Sequence, residues 1–444
     1  MVRILTLCVA LLLALVNKPI AQPVLDYVNK PDTSFQWKLV SQQTAPTGMR
    51  TAELEMVSQT WQGIQWRHHL LICRPPEAKS TDTFLLFITG DYNPSEAAML
   101  TNVVSSALKA PIAVLFDIPN QPLYDGRRED ALIAYTFVKY LETGDKTWPL
   151  LFPMTKAAVR AMDAVQQFAK SAWNLNVSGF VVTGASKRGW TTWFTGAVDS
   201  RVKGIAPMVY NNLNLPEQMR LQVQSFGTYS EQISDYTALN LPQMLNTKEG
   251  AALAAIVDPY TLRSRIKMPK LLINGTNDRY WPLDAASKYF PQLTGPKYLL
   301  YVPNSGHGLE DRQRVLETLS AFYWSCAAGE PFPTLNWRFE PYGKGQVRLV
   351  VRSNPAPADV SVWVASSPSR DFREAKWERR AATRKGDAFT YLIDIPKTGY
   401  TAAFGEASYS WSGRSFRLST DVRIFSGASA PKAGKPTGKR ESLP

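Results

Sequence analysis

Two kinds of hydrophobic pattern alternate along the first three quarters of the chain. Residues 83–88, 113–116, 180–182, 271–273 and 298–302 are almost continuously apolar. Short strands that are apolar on both faces are what a parallel sheet covered by helices requires. Between these runs, apolar residues recur at helical spacing, which predicts helices over 95–108, 130–142, 156–172, 188–197 and 309–325. This alternation predicts an α/β fold with a doubly wound, mostly parallel sheet. Ahead of it, residues 53–73 alternate apolar and polar positions around Gly63, as a β-hairpin does.

Residues 208–262 interrupt the rhythm with Asn211-Asn212-Leu213-Asn214 and helical stretches rich in Gln and Leu. They are expected to form a helical cap above the sheet. After Gly329 the pattern changes to period-2 alternation over 346–352, 360–364, 390–395, 400–404 and 415–425. A C-terminal β-sandwich of immunoglobulin or fibronectin type is expected over 331–425. The last residues, 426–444, are rich in Gly, Ala, Ser, Pro and Lys and are expected to be a disordered basic tail.

The N-terminus reads as a signal peptide over 1–21, with Arg3, an apolar run from Ile4 to Val16, and Ala21 before cleavage. That run is too short to span a bilayer, and no later run reaches that length. The expected mature protein is therefore exported, periplasmic or extracellular, and not transmembrane, with its α/β domain over 22–330.

Composition adds three points. The chain has 444 residues, 45% hydrophobic and 20% charged, in the ordinary globular range, and its length suggests more than one domain. Its net charge is +13, of which +9 lies beyond residue 330. That C-terminal excess could meet an anionic surface or serve solubility. No aromatic-basic module accompanies it, so no nucleic-acid partner is expected. Cys73 and Cys326 remain after removal of Cys8. Either a disulfide or two buried thiols fits them. No metal-ligand or phosphate-loop pattern occurs, so neither a metal nor a cofactor is expected.

Candidate chemistry centres on Ser186, in Gly184-Ala185-Ser186-Lys187-Arg188-Gly189, between a predicted strand and a predicted helix. Such a turn exposes a nucleophilic hydroxyl in a strained backbone. The common pattern has glycine two residues after the serine; here Arg188 stands there and Gly189 follows. His307 lies in Gly306-His307-Gly308, directly after the last apolar run, where an imidazole can act as base. Asp278 follows 271–273, with Asp284 as the competing acid. The order Ser186, Asp278, His307 is that of a serine hydrolase acting on an ester or amide carbonyl. The backbone N–H of Lys187, with Gly90 or Asp91 after the first apolar run, would form the oxyanion hole. Arg188 could add positive charge there or pair within the scaffold. Asp125 to Asp130 carries five charges in six residues, so that Asp125 and Arg128 could bind a polar substrate group or belong to an ion-pair network. Trp190 is a further candidate substrate contact. Substrates in range are small-molecule, peptide or carbohydrate esters and amides.

Several segments together resemble the PhoPQ-activated pathogenicity-related (PqaA-type) family over most of residues 25–425. They are Leu25-Asp26-Tyr27-Val28 with Phe35-Gln36-Trp37, residues 128–136, residues 184–193, Asp258-Pro259-Tyr260, Met268-Pro269-Lys270 and residues 274–278. The resemblance implies an α/β-hydrolase with a C-terminal all-β domain, and makes the displaced glycine a family trait. The serine motif is also similar to the Gly-x-Ser-Arg-x-Gly arrangement of glucuronoyl esterases, which implies an ester substrate. A non-catalytic binding or signalling role on a hydrolase scaffold is the competing expectation.

Overall fold

The computed structural model describes residues 22–78, 82–411 and 413–427. The expected signal peptide, 1–21, and all but the first two residues of the expected tail lie outside that range. Ser426 itself ends a strand.

Six strands form the parallel centre: β4 (Thr83–Ile88), β5 (Ile112–Leu115), β6 (Gly179–Ala185), β7 (Val202–Met208), β8 (Lys270–Gly275) and β9 (Lys297–Val302). Preceding them in the chain are β1 (Gln36–Thr44), β2 (Arg50–Trp61) and β3 (Ile64–Arg74), an antiparallel meander that joins the sheet through β3 and β5. The spatial order is β1-β2-β3-β5-β4-β6-β7-β8-β9. The chain reverses its direction of travel at β4, between β5 and β6, and ligand sites of open α/β sheets lie at such a switch point. Helices 94–108 and 312–328 cover one face, and helices 129–143, 151–173 and 187–198 cover the other. This is the α/β-hydrolase architecture, with the helical insertion present as helices 215–226, 234–237, 241–244 and 248–257.

The five apolar runs all fall on strands. β7 has no counterpart among them, because Lys203, Gly204 and Pro207 break its apolar pattern. Lys203 sends its ammonium to Thr83 Oγ1 at the sheet edge (2.8 Å). Gly204 leaves room for the Cys326 thiol, which a Cβ would strike at 2.5 Å. Cys73 and Cys326 are both free and buried, so no disulfide joins them.

The C-terminal region is all-β, and one of its two layers continues the central sheet. Its strands are β10 (Thr334–Pro341), β11 (Gln346–Asn354), β12 (Asp359–Ser367), β13 (Glu378–Ala381), β14 (Thr383–Lys385), β15 (Ala388–Asp394), β16 (Tyr400–Trp411), β17 (Arg414–Ser419) and β18 (Arg423–Ser426). β10-β11-β15-β14 form a separate four-stranded antiparallel sheet. The other layer, β17-β16-β12-β13 with β18 on β16, is not separate. β17 pairs with β9 at Ser419 and Leu299, so the hydrolase sheet runs on into it. Ser419 Oγ also accepts the Tyr301 N–H (2.9 Å). One buried cluster contains Phe322 and Leu319 of helix 312–328 together with Leu349, Val362, Phe416 and Leu418.

Removal of residues 330–444 would leave β9 as an open edge and uncover apolar surface on helix 312–328, two features that drive association. The truncated chain is expected to elute from size exclusion as aggregate. A monodisperse monomer that melts like the full chain would contradict a shared core.

Candidate functional site

The strand register brings the candidate residues to one edge of the sheet. Ala185 pairs with Met208, Met208 with Ile273, and Gly275 with Val302, so the loops after β6, β8 and β9 emerge side by side. Ser186 follows β6 at φ 58°, ψ −127°, a strained conformation for a residue with a side chain. It is held by its N–H bond to Met208 O (2.9 Å) and by close packing of the glycines around it. A Cβ on Gly184 would sit 2.8 Å from Arg188 O, and one on Gly189 2.9 Å from both Met208 O and Tyr210 Cβ. The second glycine is therefore required at 189, where the helix start presses on β7.

Asp278 and His307 meet directly. Asp278 is buried, its Oδ2 lies 2.8 Å from His307 Nδ1, and its Oδ1 accepts the Tyr280 N–H (2.8 Å). The imidazole stacks on the Tyr280 ring, with centroids 4.1 Å apart. His307 Nε2 is buried and makes no hydrogen bond. Catalytic contacts in ligand-free sites are often looser than in the complex. The competing acid, Asp284, is ion-paired to Arg370.

On the other side of β6, Ile88 of β4 pairs with Gly184, which sets Gly90 and Asp91 beside the Ser186 turn. Lys187 opens helix 187–198, where backbone N–H groups lack intrahelical acceptors. Asp117 (φ 61°) fixes the Gly90 loop: its N–H donates to Gly90 O (2.7 Å) and its Oδ1 accepts the Tyr92 N–H (3.0 Å). Its Oδ2 meets His69 Nδ1 (2.9 Å), and that carboxylate raises the His69 pKa. His68 is buried against Ser58 Oγ, and burial pushes its pKa down to about 4.

The charged candidates divide. Arg188 turns inward: its guanidinium packs on Gly90, donates to Ile118 O (2.5 Å) and holds Glu129 in a bidentate pair (2.6 and 2.8 Å). Lys187 Nζ, on a side chain only 7% exposed, lies 2.8 Å from Glu129 and 3.1 Å from Asp130. Burial would raise the Glu129 pKa, but Arg188 and Lys187 outweigh it and hold it at about 2. Arg128 pairs with Asp91, and exposed Asp125 pairs with Arg127. Neither lines the pocket beside Ser186.

That pocket encloses about 80 Å³ between Ser186 and the cap. Trp190 lines it, stacked on Tyr210 with its Nε1 donating to Val257 O. Further walls come from Phe137, Tyr236, Leu241, Ala254 and Trp281. Asp130 also faces it, one oxygen on Lys187 and the other accepting the Tyr236 hydroxyl (2.9 Å). No local sequence pattern marks these wall residues as contacts, because they come from separate elements. Only Asp130 carried a signal, inside the charged run. Among the described residues no group of three His, Cys, Asp or Glu side chains could hold a metal ion, and no helix is long and apolar enough to cross a membrane.

A profile of the PhoPQ-activated pathogenicity-related proteins matches residues 24–373. The chain belongs to that family. It is similar to the autocrine proliferation repressor protein A of Dictyostelium discoideum, at 33% identity over 92% of this chain and 90% of that protein. Among solved structures it overlaps an acetyl xylan esterase from Paenibacillus sp. R4, at 15% identity and TM-score 0.47, covering 66% of this chain and 91% of that one. An S-formylglutathione hydrolase from Agrobacterium tumefaciens overlaps at 14% identity and TM-score 0.42, covering 66% and 99%.

Arg188→Ala breaks a largely buried bidentate pair. The expected loss is about 2–3 kcal/mol in urea unfolding at pH 7, below the usual figure for a fully buried pair because Glu129 keeps Lys187 and is partly exposed. A carboxylate with a depressed folded pKa stabilises above its unfolded pKa, and that contribution fades as pH falls toward the folded value. The gap between wild type and Arg188→Ala should therefore narrow from about pH 5 towards pH 2. A gap that stays constant over that range would separate Glu129 from the effect.

Proposed function

We propose that the protein is an exported serine hydrolase acting on an ester or amide carbonyl. The observation that carries the reading is the Asp278–His307 pair, set on the same sheet edge as a serine in a strained turn. In this mechanism Ser186 Oγ attacks the carbonyl carbon while His307 Nε2 takes its proton. Asp278 holds Nδ1–H and stabilises the imidazolium. The oxyanion is met by the Lys187 N–H and by the loop at Gly90 and Asp91. Collapse of the intermediate expels the alcohol or amine, protonated by His307, and leaves an acyl-enzyme. Water, deprotonated by His307, then releases the acid and restores Ser186.

The pocket defines the group that sits beside the reacting carbonyl. Its walls are mostly aromatic and aliphatic, and its charges are internally paired through Lys187, Glu129 and Asp130. An unpaired charge entering it would lose hydration without gaining a partner. The substrate group is therefore uncharged, apolar and small.

A second reading, a signalling factor on a hydrolase scaffold, is favoured by the name of the Dictyostelium relative. The two separate on Ser186→Ala, which removes hydrolysis and leaves a purely adhesive role intact.

A fluorophosphonate probe is expected to label the wild-type chain at Ser186 and to leave Ser186→Ala unlabelled; equal labelling of both would sink the mechanism. For the pocket, Ala254→Phe should lower kcat/KM on a butyryl aryl ester about tenfold and on the acetyl ester much less. Equal losses on both esters would show that the acyl group does not enter this cavity.

A further inference from the structure

The segment between β12 and β13 leaves the C-terminal domain and reaches across to the edge of the sheet that carries Asp278 and His307. It grips the loop before each. Asn277, immediately ahead of Asp278, donates its amide N–H groups to three carbonyls of this segment: Ala375 O at 2.7 Å, Arg373 O at 3.1 Å and Phe372 O at 3.4 Å. Asn304, three residues ahead of His307, makes a reciprocal pair with Trp377. Its Nδ2 donates to Trp377 O (3.0 Å), and its Oδ1 accepts the Trp377 N–H (2.7 Å).

The two gripped loops are also tied to each other. The Asn277 N–H donates to Ser305 O (2.9 Å), and the Asn304 N–H to Thr276 Oγ1 (2.9 Å). Phe372 and Trp377 anchor the segment in the core, and Trp377 packs on Phe404 with centroids 5.3 Å apart. From the same segment, Arg370 pairs with Asp284 and Arg373 with Glu231 of the cap insertion (2.8 Å). Arg373 also lies over the Phe226 ring, 4.2 Å from its centroid.

On the serine-hydrolase reading above, we propose that residues 370–377 are a clamp that sets the register of Asp278 against His307. Asn277 and Asn304 are its positioning residues, and neither touches the reacting atoms. A solvent loop has no need of five side-chain bonds from two asparagines to backbone 73 to 98 residues away. Displacing a catalytic group by about 1 Å costs up to about a hundredfold in rate. The pocket is built mainly by the cap and by helices 129–143 and 187–198, with only Tyr280 and Trp281 coming from the Asp278 loop.

The test uses the full chain and a simple aryl ester. Asn304 sits at φ 54°, where glycine and aspartate are tolerated, so its side chain can be changed without straining the backbone. Asn304→Gly removes both bonds to Trp377. Asn304→Asp keeps only the acceptor for the Trp377 N–H. Asn277→Ala removes the three carbonyl contacts. Expected are a kcat lowered about tenfold or more in Asn304→Gly and Asn277→Ala, KM within about twofold, and a slower fluorophosphonate reaction at Ser186. Asn304→Asp should lie between Asn304→Gly and wild type, as partial rescue. If Asn277→Ala fails to fold, the two Asn304 variants decide. Wild-type kcat in the folded Asn304 variants, or losses in KM alone, would overturn the clamp. Failure of the underlying reading looks different, because the wild-type chain would then neither hydrolyse esters nor take the label.

Discussion

The backbone at Ser186 is the constraint around which the site is arranged. A non-glycine residue at φ 58°, ψ −127° costs about 1–3 kcal/mol and persists only where its surroundings leave no alternative. Here β6 delivers the chain into the turn, Met208 O receives the serine N–H, and helix 187–198 leaves in the opposite sense. Both sides of the turn are closely packed, which is why glycine is needed at 184 and 189. The usual glycine two residues after the serine has been exchanged for Arg188, whose side chain leaves toward β4 instead of toward β7. That exchange is compatible with the turn because Gly90 offers no Cβ against which the guanidinium would collide.

Arg188 brings its own requirement. Set over Gly90 and bonded to Ile118 O, it joins the loops after β4 and β5, and Glu129 closes the charge balance from the start of helix 129–143. Lys187 sits on the other side of the same carboxylate and connects it through Asp130 to the Tyr236 hydroxyl in the cap. The run from Asp125 to Asp130 is therefore divided: its first residues form exposed pairs, and its last two lie beneath the Ser186 turn. A site so paired offers apolar walls and no free charge, although the chain as a whole carries +13.

How much of this is legible in the sequence depends on distance along the chain. β4, β5, β6, β8 and β9 are legible because burial on both faces demands unbroken apolar residues. β7 is not, since its lysine and glycine answer to partners elsewhere, Thr83 and Cys326. Ser186, Asp278 and His307 are legible as an ordered set because each follows a strand. Which of Asp278 and Asp284 meets His307 is not, because Asp284 instead pairs with Arg370, a residue 86 positions away in another layer. Arg188 has the same difficulty, its partner Glu129 lying 59 residues upstream. The wall of the pocket is assembled from side chains of helices 129–143 and 187–198, the cap and the loop after β8, and no local pattern records that assembly.

The least legible feature is the relation between the two halves of the molecule. A change from helical to period-2 patterning at Gly329 is the ordinary mark of a domain boundary, and by pattern alone the C-terminal part reads as a domain of its own. Yet β17 continues the sheet at β9, and helix 312–328 packs into the sandwich core. β9 is the strand that leads into the His307 loop. An element covering its outer edge therefore bears on the position of the histidine even before the segment from 370 to 377 is considered. A domain that only adhered to a surface would have no reason to complete the sheet beneath the loop that carries His307.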